Sequence, residues 1–223
     1  MNLAKSREFL KPEQVKDRIH IIGCGAIGSN LADFIARFGI TKISLYDFDT
    51  VEDKNVANQM FTTADIGKLK VDAVAEQIIK INPEAKNELK IFPEGYTGQQ
   101  LNGYVFLAVD SIELRKKIAS DNRMNPYIKG FFDFRMGLTD AQHYAADWKD
   151  RDMVKAFLST MNFTDEEAKA AQPISACNEM LSVCPTVRSI VAAGVANFVN
   201  FVKGLPIKKM IVLDAFIFDM NAF

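Results

Sequence analysis

The chain is poor in cysteine and histidine, has no long apolar run, and carries no excess charge of either sign. Its three cysteines, Cys24, Cys177 and Cys184, stand at unrelated spacings in 223 residues. They cannot build a disulfide framework and are too few for a four-cysteine zinc site, although mixed ligands stay open. Such usage suits a reducing compartment, so a cytoplasmic location is expected. No apolar run reaches the roughly 20 residues that span a bilayer, and the start MNLAKSREFLKPEQ lacks the apolar core of a signal peptide, so no membrane partner is expected. With 27 Lys and Arg against 28 Asp and Glu, the net charge of −1 leaves no footprint for nucleic acid. Of the two histidines, His20 reads as core within a strand and His143 as facing solvent, and neither reads as a ligand.

The remainder describes an ordinary folded chain, with 48% hydrophobic and 25% charged residues. The run 19-IHII-22 ends in glycine, as a buried parallel strand does. Ala26, Ile27, Leu31, Phe34, Ile35 and Phe38 then recur at helical spacing, and Gly39 supplies a stop. A strand over 42–49, a helix over 67–81 ended by 82-NP-83, strands over 88–92, 104–110 and 127–134, and a helix over 111–122 follow. This alternation predicts an α/β, Rossmann-like fold with a mainly parallel sheet and helices on both faces. From residue 135 the rhythm changes: a strand over 139–146, a polar, partly helical stretch over 147–176, a long helix over 186–204 and an apolar run over 209–218. The reading is one domain, 1–223, with a nucleotide-binding core at 1–134 extended by C-terminal strands and a long helix at 135–223.

The loop 23-GCGAIG-28 joins a strand to a helix, the setting that the G-x-G-x-x-G signal needs. Gly23 allows a tight turn, Gly25 the approach of a phosphate, and Gly28 close packing of helix on strand, while Asp47 stands where a ribose-binding acid belongs. Alone, this loop suggests NAD. The polar crossing of Asp47, Asp49, Glu52, Asp53, Asn55 and Gln59, followed by Lys70, suits a nucleoside triphosphate better. Lys70 can neutralise phosphate charge, and Asp110, at the end of 105-VFLAVD-110, can hold Mg²⁺ at the carboxyl edge of the sheet.

The ordered strings DFDTVEDKNVANQMF, DIGKLK and INP resemble the ThiF/MoeB/HesA family, bacterial relatives of ubiquitin-activating enzymes, from about Arg18 to Asp110 and more weakly to about residue 204. The resemblance implies ATP as cofactor with Mg²⁺, and adenylation of the C-terminal carboxylate of a small ubiquitin-like or sulfur-carrier protein or peptide, with release of pyrophosphate. It implies Gly23, Gly25 and Gly28 around the phosphates, Asp47 on the ribose, Asn55 on the phosphates with Asp49 and Gln59 in the same set, Lys70 bridging, and Asp110 on the metal. It also implies a homodimer, built partly by the helix bearing Ile190, Ala193, Gly194 and Asn197, and a crossover loop in 147–176. The paired C-x-x-C motifs that hold zinc in many relatives are missing, so no zinc is expected.

Asn58 stands where the family has an arginine that contacts ATP, which removes a charge-assisted donor. Arg7 is a candidate for a second family arginine that reaches the partner subunit's site. Arg135, in 133-DFRMG-137, can meet a substrate carboxylate or pair with Asp133, and Cys177 lies where some relatives form a thioester or persulfide, or is a packed thiol. Cys184, before Pro185, reads as packing. Two further functions stay open: a non-catalytic nucleotide-binding partner protein, for which Asn58 argues, and a NAD-dependent oxidoreductase.

Overall fold

A computed structural model describes residues 1–175 and 180–223, so Cys177 lies outside the described residues. The strands are β1 (Ile19–Ile22), β2 (Ile43–Tyr46), β3 (Lys90–Phe92), β4 (Gly103–Leu107), β5 (Ile128–Met136), β6 (Asp140–Asp147), β7 (Met210–Asp214) and β8 (Asp219–Ala222). The helices are α1 (Ala26–Arg37), α2 (Lys70–Ile81), α3 (Ile112–Asp121), α4 (Arg151–Ser159), α5 (Asp165–Ala170) and α6 (Cys184–Val202). One sheet runs β3-β2-β1-β4-β5-β6-β7-β8. Its first five strands pair in parallel, and β6, β7 and β8 continue it antiparallel. The chain leaves β1 for β2 on one side and returns to β4 on the other, which opens a crevice at the carboxyl ends of β1 and β4.

Helices cover both faces, as the alternation predicts. Ile27, Leu31 and Ile35 of α1, Val71, Val74 and Ile78 of α2, and Ile190, Val191 and Phe198 of α6 share one core. Ile112 and Ile118 of α3 with Val154 and Phe157 of α4 form the other, around Phe131 and Trp148. Gly194 lets α6 lie almost on the sheet, since a Cβ there would meet the Phe134 ring at 2.2 Å. Ile190, Gly194 and Asn197 are thus buried against the chain's own sheet.

Several boundaries move for identifiable reasons. The helix expected from residue 67 begins at Lys70, because Gly67 turns the chain at φ +87° and residues 67–70 are tied to 49–51 by backbone bonds around a Thr50–Leu69 bridge. Among those bonds, Gly67 N donates to Val51 O and Lys70 N to Asp49 O, each at 2.9 Å. The polar stretch 147–176 contains α4, capped by Asp150, and α5, opened by a reciprocal Thr164–Glu167 capping box. The C-terminal run splits into β7 and β8, because the Asp214 carboxylate accepts from Phe216 N at 2.9 Å and Ile217 N at 3.2 Å and so bends the chain.

His20 is core, as expected, with Nδ1 2.8 Å from Tyr46 Oη. His143 is not on the surface. It is fully buried on β6 beside Phe134, with Nδ1 3.1 Å from the Asp133 carbonyl and Nε2 3.2 Å from Asn197 Nδ2. The carbonyl can only accept, so Nδ1 carries the hydrogen and Nε2 accepts from Asn197. Alternation on β6 puts His143 on the core side, and polar partners there make an imidazole tolerable.

Burial lowers the pKa of both histidines from 6.5 to about 4. A depressed folded pKa means that the unfolded chain takes up the proton first, so stability is full above pH 6.5 and falls as the pH drops toward 4. Urea melts at steps through that window should show a loss on the order of 3 kcal/mol per histidine, and His143→Gln should flatten the slope by about half.

Candidate functional site

The three parallel strands that meet at the crevice each end in a loop carrying a candidate residue. After β1, Gly23 N donates to Tyr46 O at 2.8 Å, and the neighbouring Ala108 N donates to Ile22 O at 2.8 Å. Gly23 has φ +95°, and a Cβ on it would stand 2.7 Å from the Ala108 carbonyl. A Cβ on Gly28 would stand 1.8 Å from Gly23 O. These two glycines therefore serve contacts within the protein. Gly25 is different, for a Cβ there meets nothing within 4 Å. It is the N-cap of α1 and no side chain caps that helix, so the first-turn amides lack a side-chain acceptor and the positive end of the helix dipole begins at an open position.

After β2, the Asp47 carboxylate accepts from Cys24 N at 2.6 Å and from Asp49 N at 2.9 Å. Burial raises its pKa, and these backbone donors only partly offset that. Phe48, between the two acids, is 71% exposed and rests its ring over Gly95. The 49–51 pairing with 67–69 brings Lys70 to this corner, where Nζ lies 2.7 Å from Asp49 Oδ2. The lysine is buried while its partner carboxylate is half exposed. Cys24 is buried behind the loop, and desolvation pushes its thiol well above the usual range, which makes it a packing residue.

A 3-10 turn, Asp53–Ala57, carries the polar crossing over the sheet edge. Asn55 is buried and spends its Oδ1 on Glu52 N at 2.9 Å. Gln59 leaves its Oε1 buried without a partner among the described residues. Met60 N donates to Ser29 Oγ on α1 at 3.1 Å, which ties this segment to the helix behind the glycine loop. Asn58 donates its amide to Ser182 Oγ. Arg188 on α6 brings Nη2 to 3.7 Å from Met60 Sδ, a cation two positions from Asn58 that no sequence motif signals.

After β4, Asp110 is exposed and has no hydrogen bond or ion pair among the described residues. Below it lies an ion network that sequence reasoning caught only at its rim. Arg115 of α3 donates to the Asp133 carboxylate, to Phe134 O at 2.6 Å and to Val109 O. Asp133 is fully buried and also accepts from Arg135 Nε at 2.7 Å, so Arg135 takes the ion-pair alternative. The missed residue, Arg115, was hidden because an arginine inside a charged helix reads as surface.

Gly23, Gly25, Gly28, Asp47, Asp49 and Asp110 thus follow the carboxyl ends of β1, β2 and β4, Lys70 joins them through Asp49, and Asn55 and Gln59 lie in the crossing between β2 and α2. Arg7 does not join them within this chain; it pairs with Glu13 at 2.7 Å on the surface. Among the described residues no group of three His, Cys, Asp or Glu can hold a metal. A single exposed carboxylate suits a Mg²⁺ ion carried mainly by phosphates, and the open space at Gly25 leaves room for a phosphate. No helix among the described residues is long and apolar enough to cross a membrane.

The pattern of the ThiF family matches residues 10–130. Ubiquitin-like modifier-activating enzyme 5 of Drosophila willistoni is 38% identical over 88 residues, 40% of this chain and 21% of that enzyme. The same enzyme of Culex quinquefasciatus is 36% identical over 85 residues, 38% of this chain and 20% of that enzyme. The match therefore spans about a fifth of the length of these relatives. Crystal structures of PaaA (TM-score 0.67, 19% identity, 96% of this chain and 66% of that one) and of E. coli MccB with AMPCPP and MccA (TM-score 0.68, 17% identity, 95% and 65%) share the fold.

The glycines separate cleanly by experiment. Gly28→Ala should cost at least about 3 kcal/mol in a denaturant melt, since backbone on both sides must move. Gly25→Ala meets no clash and should cost the ligand-free melt no more than about 1 kcal/mol, the loss of a glycine at a helix N-cap.

Proposed function

The chain belongs to the ThiF family, and from that premise we propose that it adenylates a C-terminal carboxylate with ATP and Mg²⁺, releasing pyrophosphate. The observation that carries this reading is the open, uncapped start of α1 at Gly25, facing the crevice that Lys70 and Asp110 share. Backbone amides there suit phosphate oxygens, and Asp47 suits the ribose hydroxyls. Phe48 offers its exposed ring as an apolar face for the base. Lys70 has three donors and uses one on Asp49, so it can also meet a phosphate. The bound cation supplies charge neutralisation of the phosphates, with Asp110 as its protein ligand. The attacking carboxylate is already an anion and needs no general base. What the site must do is gather donors around the α-phosphate and hold the two reactants in line.

The substrate we propose is a small ubiquitin-like or sulfur-carrier protein, or a peptide, with a free C-terminal carboxylate. The relatives named as ubiquitin-like modifier-activating enzymes, and the MccB structure containing MccA, support that class. We propose a cytoplasmic homodimer in which Arg7 serves the partner's site; Cys177, unless it is a packed thiol, takes the acyl group from the adenylate as a thioester with release of AMP. A second reading, a nucleotide-binding partner without catalysis, is favoured by one observation: Asn58 is engaged with Ser182 and brings no charge to the phosphates.

Thermal shift with Mg²⁺·ATP against NAD tests the nucleotide, and a response to NAD alone overturns the proposal. ATP–pyrophosphate exchange that depends on an added carrier protein or peptide then separates enzyme from binder. Lys70→Ala and Asp110→Ala should each lower that exchange by about 10²–10³-fold, and equal exchange in the variants counts against the assignment.

A further inference from the structure

We infer that Asp165 and Arg135 are positioning residues for Asp110, and that they make the placement of this carboxylate depend on the segment between α4 and α5. The inference rests on the reading of Asp110 as the cation-binding residue. Asp110 itself makes no polar contact among the described residues, so its position is set by its chain neighbours. Both sides of it are held from Thr160–Asp165.

On the C-terminal side, Asp165 Oδ2 accepts from Ser111 Oγ at 2.7 Å, and Oδ1 accepts from Ile112 N at 2.5 Å and Glu113 N at 3.3 Å. Helix α3 already has its own cap, for Ser111 Oγ accepts from Leu114 N at 3.0 Å. The second acceptor is therefore more than the helix start requires, and what it adds is a link between segments. On the N-terminal side, the two ends of the Arg135 guanidinium donate to Thr160 O at 2.7 Å and Thr160 Oγ1 at 2.8 Å. Its Nε donates to Asp133, Asp133 accepts from Arg115, and Arg115 donates to Val109 O. Arg135 also lies 4.4 Å from the Tyr144 ring centroid and 5.6 Å from that of Phe163, which fixes the plane of its fork. Two polar chains from a six-residue stretch thus end on residue 109 and on residues 111–113. By linkage, a cation that needs Asp110 in place must favour the seated segment, and loss of the seat must weaken the cation.

The test uses the full chain with Asp165→Ala, Asp165→Asn and Arg135→Leu. Amide hydrogen exchange without any ligand should speed up at least tenfold at residues 109–114 in each variant, with β1 and α1 unchanged. ATP affinity is then measured with Mg²⁺ and with EDTA. The gain that Mg²⁺ gives should shrink at least tenfold for both Asp165→Ala and Arg135→Leu, while the affinity in EDTA stays at the wild-type level. Charge alone predicts opposite signs for these two variants, since one removes an anion near Asp110 and the other a cation; positioning predicts the same sign. Asp165→Asn, which keeps an acceptor for the amides, should fall between wild type and Asp165→Ala, and it replaces the alanine variant should that fail to fold. Unchanged exchange at 109–114, opposite shifts in the Mg²⁺ gain, or an equal loss in EDTA overturns the inference. A wild-type chain that does not bind ATP counts against the adenylation reading instead, and the exchange measurement, which needs no nucleotide, still decides this one.

Discussion

A helix can begin immediately behind a strand only if the backbone leaves room for it, and here the room is the missing side chain of Gly28. With the Gly23 carbonyl lying where a Cβ on residue 28 would be, α1 presses against the end of β1 at backbone distance. Gly23 repeats the device one step earlier by closing on Ala108 at the end of β4. The carboxyl ends of β1 and β4 and the start of α1 are locked into one unit at the crevice that the strand order opens. Because the uncapped end of α1 points into that crevice, packing and partial positive charge arrive together. A structure built for close packing alone would have no reason to leave Gly25 bare.

The acids around the crevice show how the fold tolerates charge at its rim. Asp133 has no exposure, and an unpaired carboxylate there would be expelled or neutralised; two arginines flank it instead. Asp47 is partly desolvated and is held by backbone donors, and its raised pKa shows that those donors do not fully offset burial. Asp110 is exposed and has no polar partner among the described residues. The three carboxylates thus form a gradient from structural to available, and the most available one lies at the topological switch.

Much of the core was legible because its signals are local. Apolar spacing in 26–38, glycines flanking a strand and the INP stop each act within one turn of chain, and the α/β alternation follows from them. The start of α2 was not, because Gly67 and Leu69 are drawn into pairing with residues 49–51, eighteen or so positions away. The same non-local pairing is what carries Lys70 to Asp49. His143 and Arg115 were misread or missed for a related reason: each is polar in sequence and buried in space, and the partners that make burial tolerable, Asn197 and Asp133, lie 54 and 18 residues away. The site's edge could be read from motifs; the network beneath it is a tertiary product.

Asn58 can be weighed by magnitude. A hydrogen bond to a charged donor contributes about 1.5–3 kcal/mol and a neutral one about 0.5–1.5, so replacing arginine by asparagine forfeits about 1–1.5 kcal/mol, roughly a factor of ten. That is smaller than the two to three orders of magnitude tied to a single donor that acts only in a transition state. On the adenylation reading, the substitution weakens the grip on the phosphates by about tenfold and is too small to abolish the reaction. Asn58 is also not idle: it is bonded to Ser182, so a ligand reaching it must first break that contact. Gly25 and Asp110 carry no such obligation among the described residues, so on the adenylation reading a nucleotide and its cation would gain contacts there without displacing any.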